Sequence, residues 1–160
     1  MTSQDDRDLY ARLQALEDRA AVIDTVCRFA FCLDRLAWTE FEAILADRVR
    51  VNTIRTGGWV DLDRSAIVAT LSRAFGTYTA TQHISANHQV TLDGDVATVW
   101  STLNATHYRE GTPGGDFQQQ VGYYEYVLAR QDTWRITSVR QDPHWQTGNQ
   151  SIFDSTVDPA

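Results

Sequence analysis

Apolar residues recur at three- and four-residue steps through Leu9, Leu13, Leu16, Ala20, Ile23, Cys27 and Ala30, with no Pro or Gly between about Asp5 and Leu36. That period predicts one long helix or two consecutive ones, with the stripe turned to a core. A short helix is expected from Trp38 to Leu45 and a strand over Val49 to Ile54. A third helix should follow Asp63, a candidate N-cap, and run through Ile67, Leu71 and Phe75 to a C-cap at Gly76. Beyond Gly76 the pattern becomes an alternation of Thr, Val and aromatic residues, which predicts strands over about 80–92, 95–109, 117–130 and 134–142. Asp93-Gly94 supplies a hairpin turn, Gly111 to Asp116 an exposed loop, and Gln131 to Thr133 a tight connection. Helices followed by a run of antiparallel strands argue an α+β fold, with the N-terminal helices packed on one face of a strongly curved antiparallel sheet. One domain is expected over residues 1–145. The pattern fades after Asp142, so 146–160 are expected to form a C-terminal arm that crosses the surface and frays.

The 160 residues suffice for one core, and the 42% hydrophobic content, with five Trp, six Tyr and six Phe, also provides walls for an apolar pocket. Net charge is −7, and the fourteen basic residues are all Arg, scattered without a run or stripe. That distribution disfavours nucleic-acid binding. No apolar stretch approaches the ~20 residues of a membrane span, and the first residues are acidic where a secretory signal would be basic, so a cytoplasmic protein is expected. Cys27 and Cys32 are five apart in a helix and point in different directions, which reads as two core residues rather than a disulfide. The four histidines fall in no close ligand motif, and no metal is expected.

Asp34 is the most informative position. It lies eleven, seven and four residues after Ile23, Cys27 and Ala30, so the helix carries its carboxylate on the same face as those residues. A carboxylate so placed needs a partner or a polar cavity; the plain alternative is an Asp at a frayed helix end, paired with Arg35 or solvated. His83 and His88 have an odd separation and occupy opposite faces of a regular strand; either could face inward. His107 shares parity with Ala97, Val99, Ser101, Leu103 and Ala105, an inward face. Arg140 shares parity with Trp134, Ile136 and Ser138, again suggesting an inward side chain that would need an anion. A carboxylate, imidazoles and a guanidinium converging from separate elements would make an acid/base constellation.

At these residues the chain resembles the SnoaL-like family, the polyketide cyclase and dehydratase branch of the nuclear transport factor two superfamily, which includes scytalone dehydratase and bile-acid dehydratase. The likeness runs from about Leu9 to Asn149. It rests on the run from Arg28 to Asp34, the Trp38 to Asp47 segment, Thr81-Gln82-His83 with Asn87-His88, Asp93 to Thr98, Gly122-Tyr123-Tyr124, Trp134-Arg135-Ile136, and Trp145 to Asn149. The resemblance implies a conical α+β barrel, a pocket between helices and sheet, no cofactor, and a homodimer or higher homo-oligomer. By analogy Asp34 matches the family's catalytic Asp and His83 its catalytic His. His107 matches a second histidine of the scytalone dehydratase type, and Arg140 a catalytic Arg of the bile-acid dehydratase type. A helix tyrosine that some dehydratases place before the Asp is Phe29 or Ala30 here, so Tyr78, Tyr108, Tyr123 or Tyr124 would have to replace its hydroxyl.

The resulting expectation is a lyase or cyclase acting on a hydrophobic polyketide- or steroid-like metabolite by proton abstraction and donation. His83 is the base oriented by Asp34, with His107 as acid or hydrogen-bond donor and Arg140 as anion stabiliser. Trp38, Trp59, Phe75, Tyr78, Trp100, Tyr108 and Tyr124 are the expected substrate-binding residues. The alternatives are epoxide opening or double-bond isomerisation, and a non-catalytic ligand-binding or subunit-interaction module.

Overall fold

The computed structural model describes residues 4–153. Helix α1 spans Gln4–Asp34 and is followed by α2 (Trp38–Ala43), β1 (Leu45–Asn52), β2 (Val60–Asp63) and α3 (Arg64–Phe75). Four long strands complete the chain: β3 (Ala80–Asp93), β4 (Val96–Tyr108), β5 (Phe117–Arg130) and β6 (Trp134–Gly148), ending in a 3-10 turn over Gln150–Phe153. The six strands form one open sheet in the order β2-β1-β6-β5-β4-β3. All neighbours are antiparallel except β1 and β6. The α+β architecture expected from the pattern is the one observed, with the helices on one face of a curved sheet.

The helix stripe that packs is not the one the leucines suggest. Val22, Val26, Phe29 and Leu33, at steps of four, three and four, are buried, whereas Leu9, Leu13 and Leu16 are 63%, 48% and 65% exposed. The reason is the lack of anything opposite: every residue from 4 to 17 is exposed, and burial begins at Asp18. Asp18 accepts from Arg130 and from the Trp134 indole, which pins the helix to the β5–β6 end of the sheet. Each buried Val, Leu or Phe contributes about 1.5–3 kcal/mol. Phe29 stacks obliquely on Phe41 at 5.2 Å and meets Tyr126 edge-on at 5.4 Å, joining both first helices to the sheet.

Two bulges change which side chains look inward. In β3 the register slips between Ala86 and Gln89, with Asn87 at φ 55°. The extra residue lets His88, Val90 and Leu92 follow Thr81, His83 and Ser85 onto the more buried face, so the two histidines are not opposed as in a regular strand. In β6 the pairing slips between Ile136 and Ser138. The inward series therefore passes from Trp134 and Ile136 to Val139 and Gln141, and Arg140 is turned to the outer face.

Smaller differences have local causes. The Asp63 carboxylate takes a hydrogen bond from Arg48 rather than capping α3, and Gly76 ends that helix in the ordinary right-handed region at φ −63°. The β3–β4 turn is formed by Gly94 and Asp95, because Asp93 is still paired with Val96. Strand β6 runs on to Gly148 against Gln118, so the boundary expected at residue 145 falls inside a paired strand. The fraying expected at the far end concerns 154–160, which lie outside the described residues. Both cysteines are free thiols.

Candidate active site

Asp34 is the last residue of α1. A carboxylate at a helix C-terminus faces the negative end of the dipole, and burial adds to the cost of its charge. Three donors from β3 offset that. The His83 backbone N–H donates to Oδ2 at 2.7 Å, and Thr81 Oγ1 to Oδ1 at 2.9 Å. The His83 ring Nδ1 lies 2.6 Å from Oδ1. Burial pulls the Asp34 pKa upward, but these hydrogen bonds and the charge interaction with His83 outweigh it and hold the carboxyl below its ordinary range. An ionised Asp34 only accepts, so Nδ1 of His83 carries a proton, and in the uncharged ring the lone pair is on Nε2.

That lone pair belongs to a side chain lining a cavity of about 560 Å³ between the helices and the sheet. Most of its wall is apolar, built from Phe29, Leu33, Val49, Ile67, Leu71 and Val139. The His83 ring stacks on Phe75 with centroids 5.7 Å apart, and meets the His107 ring edge-on at 5.4 Å. Its side chain is only 5% exposed, so its position is fixed by packing as well as by Asp34.

His107 sits deeper, against Tyr78 at 5.1 Å and Phe153 at 5.0 Å, and its Nδ1 has no hydrogen-bond partner. Desolvation above all, then the neighbouring His83, pushes its pKa down to about 3. At neutral pH His107 is therefore an uncharged imidazole that can donate an N–H but is not a reservoir of acid.

The strand register sets the rest of the polar lining. His83 pairs with Ala105 and Ala105 with Gln120, so one row crosses three strands with a methyl group in the middle. At the usual strand spacing the Gln120 backbone lies roughly 10 Å from that of His83. Gln141 Nε2 donates to Gln120 Oε1 at 3.2 Å and to the Tyr124 hydroxyl at 3.4 Å, leaving the Tyr124 proton to donate elsewhere. At the mouth, Arg55 donates to the Tyr78 hydroxyl at 2.8 Å.

Of the residues expected to be catalytic or substrate-binding, His83, His107, Phe75, Tyr78 and Tyr124 line the cavity, with Asp34 bonded behind His83. Trp38 stands behind the wall, edge-on to Phe75 at 6.2 Å. The other four are elsewhere. Arg140 is held on the outer face by Glu125 at 3.4 Å and Asp142 at 3.3 Å, and lies over the Trp100 ring. Trp100 and Tyr108 occupy the outward parity of β4, opposite to Ser101 and His107. Trp59 is 43% exposed beneath Arg50. Phe153 also lines the pocket, from the turn that Arg109 ties down through the Ile152 carbonyl. Arg55, Gln120, Gln141 and Phe153 escaped sequence reasoning. Gln120 alone carried a signal, since it shares inward parity with Tyr124.

A helix-covered, open sheet enclosing a pocket of small-molecule size, with a carboxylate-bound imidazole on its wall, defines the cone-shaped α+β class. Residues 14–140 match the SnoaL-like domain, and the chain belongs to that family. Among solved structures it is similar to the Kfla4162 protein from Kribbella flavida, with 28% identity and a TM-score of 0.79 over 83% of this chain and 95% of that one. A protein from Novosphingobium aromaticivorans provisionally named a scytalone dehydratase has 19% identity and a TM-score of 0.75, covering 85% and 90%. A type 2 hexachlorocyclohexane dehydrochlorinase, LinA, has 17% identity and a TM-score of 0.74, covering 86% and 93%. The last two likenesses concern the fold. No curated protein matches the sequence. Among the described residues, no helix is long and apolar enough to cross a membrane.

Proposed function

We propose that this protein is a cofactor-independent lyase or cyclase that removes a proton from carbon next to a carbonyl in a hydrophobic, polyketide- or steroid-like molecule. The observation that carries the reading is the Asp34–His83 pair: Nδ1 is committed to the carboxylate, so Nε2 meets the cavity as a base. His83 takes the proton, and the imidazolium that results is stabilised by Asp34 2.6 Å away. The same imidazolium can return the proton to a hydroxyl leaving from the same side, so one base suffices for syn elimination of water. Neutral His107 is placed to donate a hydrogen bond to the enolate oxygen. The names of the dehydratase and dehydrochlorinase neighbours, both describing eliminations, support this chemistry. The cavity is open rather than filled by side chains, which supports an enzyme over a scaffold.

Double-bond isomerisation is the second reading, favoured by one observation: uncharged His107 supplies no proton, and isomerisation needs none beyond the one that His83 returns to another carbon. Incubating β-hydroxy ketones and β,γ-unsaturated ketones of two- to four-ring size in deuterium oxide, followed by mass spectrometry, separates the two. Elimination loses water, whereas isomerisation forms the conjugated enone with no loss of mass, and deuterium enters only as far as the proton held by His83 exchanges with solvent. For whichever substrate turns over, His83→Ala should lower kcat by about 10²–10⁴-fold, and a loss under about threefold would overturn the assignment.

A further inference from the structure

Among the described residues, those lining the cavity include no Asp or Glu and one permanent cation, Arg55. It belongs to the loop between β1 and β2, at the mouth. In this acidic chain Arg48, Arg64, Arg130, Arg135 and Arg140 are all engaged by carboxylates. Arg55 makes no ion pair among the described residues. Its guanidinium is nevertheless held: Nη2 donates to the neutral Tyr78 hydroxyl at 2.8 Å, and Cζ lies 5.6 Å from the Phe153 ring centroid. Those contacts leave most of its five N–H groups unspent.

An oriented guanidinium with donors to spare, at the edge of an apolar pocket, is the arrangement that binds a planar, two-oxygen anion side-on. The Tyr78 phenol accepts from Arg55, so its own proton remains available to a second oxygen. Arg55 is exposed in the empty pocket, and an aromatic acid seated against Phe75 and Phe153 would cover the guanidinium and raise the worth of that charge contact above its value in water. We propose that Arg55, with Tyr78 beside it, is the specificity-determining subsite for a carboxylate, and that the substrate is a hydrophobic carboxylic acid bound as its anion. The proposal rests on the acid/base reading of the same cavity and adds the polar group that the substrate must carry. The carboxylate sits at the mouth, and the apolar body extends inward past His83 toward Leu33, Val49 and Val139.

The test measures binding alone, so its failure would leave the His83 turnover result standing. Calorimetric titration of the wild type and Arg55→Gln with 2-naphthoate, its neutral counterpart 2-naphthylmethanol, and 2-naphthalenesulfonate uses probes of one shape and different charge. Shifts of the His83 and His107 ring signals in NMR spectra report whether each probe enters the cavity. 2-Naphthoate is expected to bind the wild type at least about tenfold more tightly than 2-naphthylmethanol, and to lose about tenfold to a hundredfold in Arg55→Gln. The alcohol should change by less than about twofold, and Arg55→Lys should restore part of the loss. Equal affinities for acid and alcohol, no binding by either, or an undiminished affinity of naphthoate for Arg55→Gln would overturn the proposal. Tighter binding of the sulfonate than of the carboxylate to the wild type would overturn the choice of carboxylate. Because the Arg55 side chain is exposed and its loop lies outside the strands, the variant should fold; an unchanged urea midpoint checks this.

Discussion

Acidification should destabilise this protein through His107, and the size of the effect follows from its surroundings. The ring is 5% exposed, and its pKa falls from an ordinary 6.5 to about 3, chiefly because burial penalises its charge. The unfolded chain therefore binds a proton near pH 6.5 that the folded chain refuses until about pH 3. Stability from this group is complete above pH 6.5, declines as pH falls, and levels off near pH 3. At 1.36 kcal/mol per pH unit, moving from pH 7 to pH 4.5 costs about 2.5–3 kcal/mol, a large part of a typical margin of about 5–15 kcal/mol. His107→Phe isolates the term. Its neighbours Phe75, Tyr78 and Phe153 are aromatic, so phenylalanine fits the site, and the hydrogen bond between Gln118 and the ring is lost at every pH, which shifts the whole curve without changing its slope. Urea unfolding followed by tryptophan fluorescence at intervals between pH 7 and 4.5 gives both stability curves. His88, whose pKa burial also lowers, acts in the same window and direction but is common to both proteins. The wild type should lose about 2.5–3 kcal/mol more than His107→Phe across that range. Parallel curves would refute the placement of a neutral, desolvated histidine in the pocket.

Two further outcomes test the placement of residues on the sheet. Arg140→Gln should leave turnover within about twofold of wild type and cost no more than about 1 kcal/mol in urea unfolding, because the side chain makes partly exposed ion pairs on the outer face. Gly122→Ala should cost about 3 kcal/mol or more in the same assay, since a Cβ there would lie 2.2 Å from the Asp142 carbonyl oxygen, beside the β5–β6 bulge.

The long strands were legible because their alternation is strict: Ala97, Val99, Ser101, Leu103, Ala105 and His107 face inward as their parity requires. Helical spacing put Asp34 on the stripe of Ile23, Cys27 and Ala30, at the edge of the core stripe, while its pairing with His83 was suggested by the family resemblance and not by any period. Arg140 was misplaced for a reason periodicity cannot show, since one extra residue in β6 reverses the parity of everything after it. The bulge at Asn87 had the same effect on His88. On α1, two stripes one residue apart compete, Ile23-Cys27-Ala30 and Val22-Val26-Phe29, and only the position of the sheet decides that the second is the core. Arg55 and Phe153 reach the cavity from a Gly-containing loop and a terminal turn, which have no period to read.

The Asp34–His83 contact shows why local geometry rather than charge alone sets the chemistry. Three donors converge on the carboxylate: the His83 N–H, the Thr81 hydroxyl and the His83 ring. In Asp34→Asn one of the two oxygens becomes an NH₂ group. The backbone N–H, at 2.7 Å, cannot rotate away, so the remaining oxygen must serve it, while the Thr81 hydroxyl can turn to accept. The amide NH₂ then faces Nδ1 of His83, which must become an acceptor, and the ring proton moves to Nε2. The cavity would meet an N–H where it had a lone pair. Turnover should fall about 10²–10⁴-fold although the ring keeps its place against Phe75, the wrong-tautomer outcome expected when a carboxylate that orients a histidine is made an amide. Nitrogen-15 shifts of the His83 ring report the tautomer directly. A ring still protonated at Nδ1 in Asp34→Asn, with activity lost all the same, would mean that Asp34 acts through its charge on the imidazolium and not by setting the tautomer.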